Sequence, residues 1–306
     1  MGEILKIFSV YYSKENLFYG KPIKTGIIEP IQTGKAATGW DLGMLSDDTG
    51  DNISSKNPYY GELTCWYWVW KNWLPQHPEC EYIGFTQYRR MLQLFDDNHK
   101  HVIDGYFLKK ISKKRMITIC KKMDQNVLTG LNSDIILPYQ WLEYVPSPMV
   151  NFKLWHGVAL YNYLEKLLIT NKDEKALFDS VMNVPRGYYK CNFIMRRDIF
   201  CDFMDWVFRL GEHIEQGIKD DIIIPDKRII AFSVEHFMNY YIGRQKQMKR
   251  TISHKFLYHA IFRDKEKKDK QAYSIKTHEI SKKYNMKYVE LLEFLQSSSG
   301  NDYEYL

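Results

Sequence analysis

Two arginines, Arg89 and Arg90, stand side by side after the strand-like run Glu81–Thr86 and the pair Gln87-Tyr88. Adjacent guanidinium groups at a strand end suit a diphosphate. Each fork binds phosphate oxygens bidentately and keeps its charge. The plainer reading is that one of them pairs with a structural acid. A second polar concentration lies upstream, Asp51-Asn52-Ile53-Ser54-Ser55-Lys56-Asn57, followed by Pro58, Glu62 and Thr64. Asp51, Asn52, Ser54 and Asn57 are residues that cap helices and hold loops. One helix needs one cap, so the surplus, with Lys56 and Glu62, reads as a pocket wall. The acid cluster Asp47-Asp48-Thr49-Gly50-Asp51 lacks the oxygen-ligand spacing of a calcium loop, and no metal ligand is assigned. Five scattered cysteines contain no C-x-x-C pair, which argues against a disulfide framework or a zinc site and fits reduced thiols in the cytoplasm.

The elements that must position these groups alternate between strand and helix. Ile4–Tyr12 is β-branched and aromatic, a strand leading into polar Ser13-Lys14-Glu15-Asn16. Nucleotide-binding α/β domains commonly open this way, and ligands collect at strand C-terminal ends, which makes Tyr11 and Ser13 candidates. Lys21–Ile31 reads as a second extended piece and Gly34–Asp51 as a loop. Leu63, Trp66, Tyr67 and Trp70 follow the i, i+3, i+4, i+7 pattern of one buried helix face ending near Asn72. Phe95–Asp124 alternates polar and apolar positions around basic helical stretches. Asp134–Pro138 is another buried strand, and Trp155-His156 opens a helix through Leu168. Tyr188–Met195 is strand-like after the turn Pro185-Arg186-Gly187, and Ile199–His213 is a helix. In Arg228–Tyr241 an extended run meets a helix at Ser233, an N-cap, which puts Glu235 in the first turn. There a carboxylate favours the helix dipole. Strands alternating with helices predict an α/β fold with a mixed, largely parallel sheet flanked by helices.

A chain of 306 residues, 45% hydrophobic and 26% charged, buries a substantial core. No apolar run approaches the ~20 residues of a membrane span, and the first residues lack the apolar core of a signal peptide. The formal charge of +6 concentrates in Lys109–Lys122 and Lys246–Lys283. Such runs are solvated helix faces or a surface for an anionic bilayer or phosphate-bearing acceptor. No nucleic-acid motif accompanies them and aromatics are not interleaved as stacking platforms, so nucleic acid is not expected. Tyr288–Gln296 reads as a short amphipathic helix before a tail beginning at Ser297.

The stretch D-N-I-S-S-K-N-P-Y-Y-G-E-L-T-C-W-Y-W-V-W-K-N from Asp51 to Asn72 resembles the signature of a bacterial family long filed as a domain of unknown function and described as capsular-polysaccharide glycosyltransferases. Tyr82-Ile83-Gly84-Phe85-Thr86-Gln87-Tyr88-Arg89-Arg90 resembles its second signature, a strand running into H-Y-R-R. The likeness recurs at Asp134–Pro138, Tyr189–Met195 and Arg228–Tyr240, and so covers roughly residues 5 to 245. Two positions depart from the family: Gln87 stands where it usually has His, and His236 where it tends to have Arg.

The resemblance implies a GT-A-like nucleotide-sugar-binding domain over residues 1–245, followed by a basic, partly helical extension over 246–306. It implies an inverting hexosyltransferase that moves a sugar, galactofuranose among the candidates, from a UDP-linked or other nucleoside-diphosphate donor. The acceptor is a glycan or lipid-linked chain in capsule or O-antigen assembly, and the enzyme is cytoplasmic with peripheral contact at the inner membrane. By this resemblance Tyr11, Ser13, Asp51, Asn52, Lys56, Glu62, Tyr88, Arg89, Arg90 and Asn192 hold the donor. His156 and Arg228 serve the acceptor or support the site. Glu235 is the base, since inverting transfer needs one carboxylate to deprotonate the attacking hydroxyl. No D-x-D follows a strand, so the arginines stand where such enzymes hold Mn²⁺ or Mg²⁺, and either ion stays open as a cofactor. Two other readings belong to different classes: a non-catalytic nucleotide-sugar or glycan-binding protein with a decayed transferase fold, and an assembly scaffold using the basic C-terminal third.

Overall fold

The computed structural model describes residues 4–92, 94, 108–125, 132–138, 141–142, 147–184, 186–255 and 257–259. Its strands are, in chain order, β1 (Leu5–Tyr11), β2 (Ile28–Gln32), β3 (Leu45–Ser46), β4 (Tyr82–Gln87), β5 (Arg90–Leu92), β6 (Leu108–Lys110), β7 (Ile135–Pro138), β8 (Trp141–Leu142), β9 (Arg186–Gly187), β10 (Phe193–Arg196), β11 (Ile252–Lys255) and β12 (Leu257–His259). Among the described residues, seven of them form one sheet in the order β11-β7-β10-β4-β1-β2-β3. Every pairing is parallel except those of β10, which runs antiparallel to both β4 and β7. The fold is therefore the expected α/β architecture with a mixed, mostly parallel sheet. A small second sheet, β5-β12-β6, adjoins it, so β11 and β12 share sheets with the earlier strands.

Side chains alternate across the main sheet as strand geometry requires. Phe8 and Val10 of β1, Phe85 of β4, Ile135 and Leu137 of β7 and Phe193 and Met195 of β10 enter one core. Leu5, Ile7, Tyr11, Ile136 and Ile194 enter the other. Covering both faces explains why these strands read as continuous apolar runs. Gly84 of β4 lies where a Cβ would come within 2.7 Å of Ile194 Cγ1 and 3.1 Å of the Phe193 carbonyl oxygen, so strand packing itself requires glycine there.

The helices are α1 (Lys35–Thr38), α2 (Asn57–Tyr60), α3 (Leu63–Trp68), α4 (Lys113–Gln125), α5 (Pro148–His156), α6 (Val158–Leu168), α7 (Lys172–Met182), α8 (Arg197–Lys219) and α9 (Ile229–Gln247). A π-helical turn, Val69–Trp73, extends α3. It advances the buried face: Trp66, Trp68 and Val69 are buried, while Tyr67 and Trp70 are half-buried and pack on Phe208 of α8. The larger core lies between the sheet and a layer that includes α3, α8 and α9, whereas α4 covers the other face through Met116, Ile119 and Met123.

Several local expectations are corrected. The second strand begins only at Ile28. Gly34–Asp51 is not wholly loop, because α1 forms and Leu45–Ser46 pairs with Ile31–Gln32 as an edge strand too short to show periodicity. His156 closes α5 instead of opening a helix, since Gly157 at φ 90° separates it from α6. Residues 188–192 are irregular, with Lys190 at φ 74° and Cys191 at φ 51°, and only Phe193–Arg196 is strand. Helix α9 starts at Ile229, four residues before Ser233. Ser233 is inside the helix, its hydroxyl donating to the Ile229 carbonyl at 2.8 Å, and Glu235 is in the second turn. Residues 95–107, the basic run beyond 259 and the expected helix Tyr288–Gln296 lie outside the described residues.

Candidate active site

The site forms at the C-terminal edge of the parallel strands. Register puts Val10 opposite Gln87 and Tyr11 opposite Gln32, so β1, β2 and β4 end together. Because β10 runs the other way, its start reaches the same edge. Asn192, just before it, accepts the Gln87 backbone N–H through Oδ1 at 3.2 Å. Glu62 precedes α3, directly after the break that Gly61 makes at φ 53°. Glu235 comes down from α9. Six side chains thus converge: Glu62, Gln87, Arg90, Lys190, Asn192 and Glu235.

Gln87 is the hub of the first half. Its Nε2 donates to the two carboxylate oxygens of Glu62 at 3.3 and 3.2 Å, and its Oε1 accepts from Arg90 Nη1. Arg90 is almost fully buried, and its carbonyl accepts the Thr86 hydroxyl. The second half is built on Glu235. Its Oε1 accepts the Lys190 backbone N–H at 2.9 Å and lies 3.8 Å from Lys190 Nζ. One helical turn further, Asn239 accepts the Tyr188 N–H at 2.7 Å and donates to the Tyr188 carbonyl at 3.2 Å.

The two carboxyl groups are driven apart. Burial, then the nearby Glu235, pushes Glu62 up to about 7, against the opposing pull of Arg228, Gln87 and Arg90. Burial also raises Glu235, but Lys190, His236, the Lys190 N–H and Arg90 outweigh it and leave that carboxyl below its ordinary value. Divergent acids in one site separate the roles of proton carrier and fixed charge. Cys191, buried beside both, has its thiol raised well above the ordinary value by burial, Glu62 and Glu235, so it stays a neutral thiol. The Asn192 side chain is fully buried and its Nδ2 has no hydrogen-bond partner, a donor left over beside Gln87.

Other expected site residues are placed differently. Tyr11 is in the second core, its hydroxyl accepting the Ile23 N–H at 2.9 Å, and burial raises it to about 12. Ser13 opens a short 3₁₀ turn, its N–H donating to Asn16 Oδ1 at 3.2 Å. Tyr88 is buried against Tyr11 and Tyr12, and the Arg89 guanidinium lies 5.7 Å from the Tyr88 ring. The polar groups of 51–56 bond within the loop and to α3 and α8. Asp51 accepts the Tyr67 hydroxyl at 3.0 Å, and Asn72 brackets its backbone. Asn52 bonds the Gly50 carbonyl and the Ser54 N–H, and Lys56 pairs with Glu215 of α8 at 2.8 Å. His156 stacks on Phe232, 5.0 Å between centroids, and also contacts Phe152 and His236. Arg228 is exposed in the left-handed region at φ 60°. Its N–H donates to the Pro58 carbonyl, and its charge reaches Glu62.

Mn²⁺ or Mg²⁺ does not fit the acid cluster. Asp47 is fully buried and accepts the Gly34 N–H at 2.7 Å, the Lys35 N–H at 3.2 Å, the Ser54 hydroxyl at 2.6 Å and the Thr64 hydroxyl at 2.5 Å. Asp48 accepts the Ser46 hydroxyl and faces Lys35. Their oxygens hold the loop together. Among the described residues, no group of three or more His, Cys, Asp or Glu could hold a metal ion.

Lys190 and Cys191 were not assigned to the site from the sequence, and Gln87 was noted there only as a departure from the family's His. Gln87 is a neutral amide at a motif position, and Lys190 and Glu235 lie 45 residues apart in the chain. The adjacency of Lys190 and Cys191 to Asn192 was the available signal, and a strand reading hid it.

Residues 17–247 match the family described as Domain of unknown function (DUF4422). Among solved structures, that of a WbbM bifunctional glycosyltransferase in its apo form is similar, with 27% sequence identity and a TM-score of 0.67. The likeness covers 83% of this chain and 45% of that one, so this chain spans less than half of its length. No curated protein matches.

Proposed function

The chain belongs to the DUF4422 family, and we propose that it transfers a glycosyl group from a nucleoside-diphosphate sugar to a hydroxyl of a glycan or lipid-linked acceptor. The observation that carries this reading is the convergence of two carboxyl groups of opposed acidity with Arg90 and Lys190 at the strand ends, in a fold similar to that of a glycosyltransferase. Open α/β sheets bind ligands at this edge. Arg90, with Arg89 and Lys190, meets the diphosphate charge without a metal, and the buried Asn192 amide contacts the donor sugar. Single displacement at the anomeric carbon inverts it, with one of the two carboxylates receiving the hydroxyl proton. UDP is the first nucleotide to test and galactofuranose one of the first sugars, with capsule or O-antigen assembly as the setting. His156 and Arg228 serve the acceptor side. A lipid-linked acceptor places the reaction at the cytoplasmic face of the inner membrane. Among the described residues no helix is long and apolar enough to cross it.

The test is incubation of the purified chain with UDP-, GDP-, CMP- and dTDP-sugars and short glycan acceptors, reading acceptor mass and nucleotide release together. A mass gain of one sugar supports the reading. Tight nucleotide binding with neither transfer nor hydrolysis across the panel overturns it.

A further inference from the structure

We propose that Glu62 is the group that receives the proton of the acceptor hydroxyl, and that Glu235 is a positioning residue that fixes the 188–192 loop. This inference rests on the transferase reading above. The geometry of Glu235 is that of a clamp. Its Oε1 holds the backbone N–H of Lys190 at 2.9 Å, and the Lys190 ammonium lies 3.8 Å from the same oxygen. Lys190 and Cys191 both occupy the left-handed region, at φ 74° and 51°. Two such non-glycine residues in succession persist only where surrounding contacts enforce them. Asn239, four residues after Glu235 and so on the same helix face, takes both backbone groups of Tyr188. Glu235 and Asn239 together hold the loop that delivers Lys190, Cys191 and Asn192.

Glu62 is supported in another way. Both of its oxygens face the Gln87 amide, a neutral donor at 3.3 and 3.2 Å, and Gln87 is itself fixed by Arg90 on Oε1 and by Asn192 on its backbone N–H. The carboxylate is oriented by a neutral amide, and the pull of Arg228 and Arg90 on it is outweighed by burial and Glu235. Charged and titratable groups around it include Glu235 from α9, Arg228 just before that helix, Arg90 from β5, and the thiols of Cys65 in α3 and Cys191 in the loop. Burial and Glu235 place it near neutrality, where a general base works best, while Glu235 stays ionised. In the transfer step, a lone pair of the acceptor oxygen forms the bond to the anomeric carbon as its proton passes to Glu62. The bond from that carbon to the diphosphate oxygen breaks, and its electron pair leaves with the diphosphate, whose charge meets Arg90.

Two measurements test this. In the full chain labelled with ¹³Cδ-glutamate, one carboxyl resonance should titrate near pH 7 and vanish in Glu62→Gln. With a UDP-sugar and a glycan acceptor, Glu62→Gln should lower kcat by about 10³-fold or more, the scale of a lost general base, with UDP affinity nearly unchanged. Glu235→Gln keeps an oxygen for the Lys190 N–H. It should hold kcat within roughly tenfold and move the acidic limb of the pH–rate profile to lower pH, because the Glu235 charge that helps to raise Glu62 is lost. The proposal is overturned if Glu62 titrates in the ordinary carboxylate range. It is overturned equally if Glu235→Gln, folded by circular dichroism, loses the larger factor while Glu62→Gln remains active. Absence of transfer by the unsubstituted protein with the whole donor panel would count against the transferase reading instead, and the carboxyl titration would then decide whether Glu62 is the proton carrier of the site.

Discussion

Glu235 accepts the backbone N–H of Lys190 at 2.9 Å, tying the second turn of a helix to a loop residue held at φ 74°. Removing that acceptor leaves a donor unsatisfied in a part-buried loop whose conformation is already costly. Glu235→Ala should therefore destabilise the protein by about 1–3 kcal/mol. Glu235→Gln, whose amide oxygen still accepts the bond, should cost less than half of that. Urea unfolding of the two variants checks the difference. Equal losses would mean that charge and not the hydrogen bond holds the loop.

Stability should also depend on Glu62 through pH. Its carboxyl is raised from 4.5 to about 7 in the folded protein. The folded state therefore binds the proton more tightly than the unfolded chain. The associated stability is fully present below pH 4.5 and is lost as pH rises through 7, about 3 kcal/mol at 1.36 kcal/mol per unit. His236 and His254, both lowered mainly by burial, act in the opposite sense, since their neutral forms favour the fold above pH 6.5 and lose that advantage as pH falls. The difference between the unsubstituted protein and Glu62→Gln isolates the carboxyl. The unfolding free energy of the unsubstituted protein should fall relative to the variant between pH 5 and 8, and parallel curves would rule the shift out.

Asp47 carries four hydrogen bonds from four positions, Gly34, Lys35, Ser54 and Thr64, with no exposure to solvent. Asp47→Ala strands several buried donors at once and should cost about 3 kcal/mol or more. The midpoint of thermal unfolding should fall by several degrees. EDTA and Mn²⁺ should leave that midpoint unchanged in both proteins. A Mn²⁺-dependent rise lost in Asp47→Ala would return the acid cluster to a metal role.

How much of this was legible in the sequence varied with the range of the interaction. The strands β1, β4 and β7 and the helix from Leu63 follow from apolar runs and local periodicity, which depend on residues a few positions apart. The site depended on contacts that no window spans. Glu62 meets Gln87, 25 positions on, and Lys190 meets Glu235, 45 positions on. Glu235 reached the site although its local reading misplaced the helix start, because the Ser233 hydroxyl bonds back into the helix instead of capping it. Local composition does not separate two roles for the polar residues from Asp51 to Lys56. Asx and hydroxyl side chains that close a loop on its own backbone have the same composition as a binding wall. Asp47, read in the sequence as one acid of a cluster, is the centre around which that loop folds.

Nucleotide binding provides the last prediction. If Arg90 meets the diphosphate directly, UDP at a hundred times its Kd should stabilise the protein by about 2.7 kcal/mol, and that gain should survive EDTA. Arg90 is 4% exposed and its guanidinium bonds Gln87, so one fork serves both the ligand and the hub. Arg90→Lys retains a positive charge but not the planar pair of donors. It should lose most of the thermal shift with UDP while UDP-independent stability falls less. Arg89→Lys, on the half-buried neighbour beside Tyr88, should lose less of the shift. A UDP shift that appears only with Mn²⁺, or one that Arg90→Lys leaves intact, would move the diphosphate away from this strand end and remove Arg90 from the donor site.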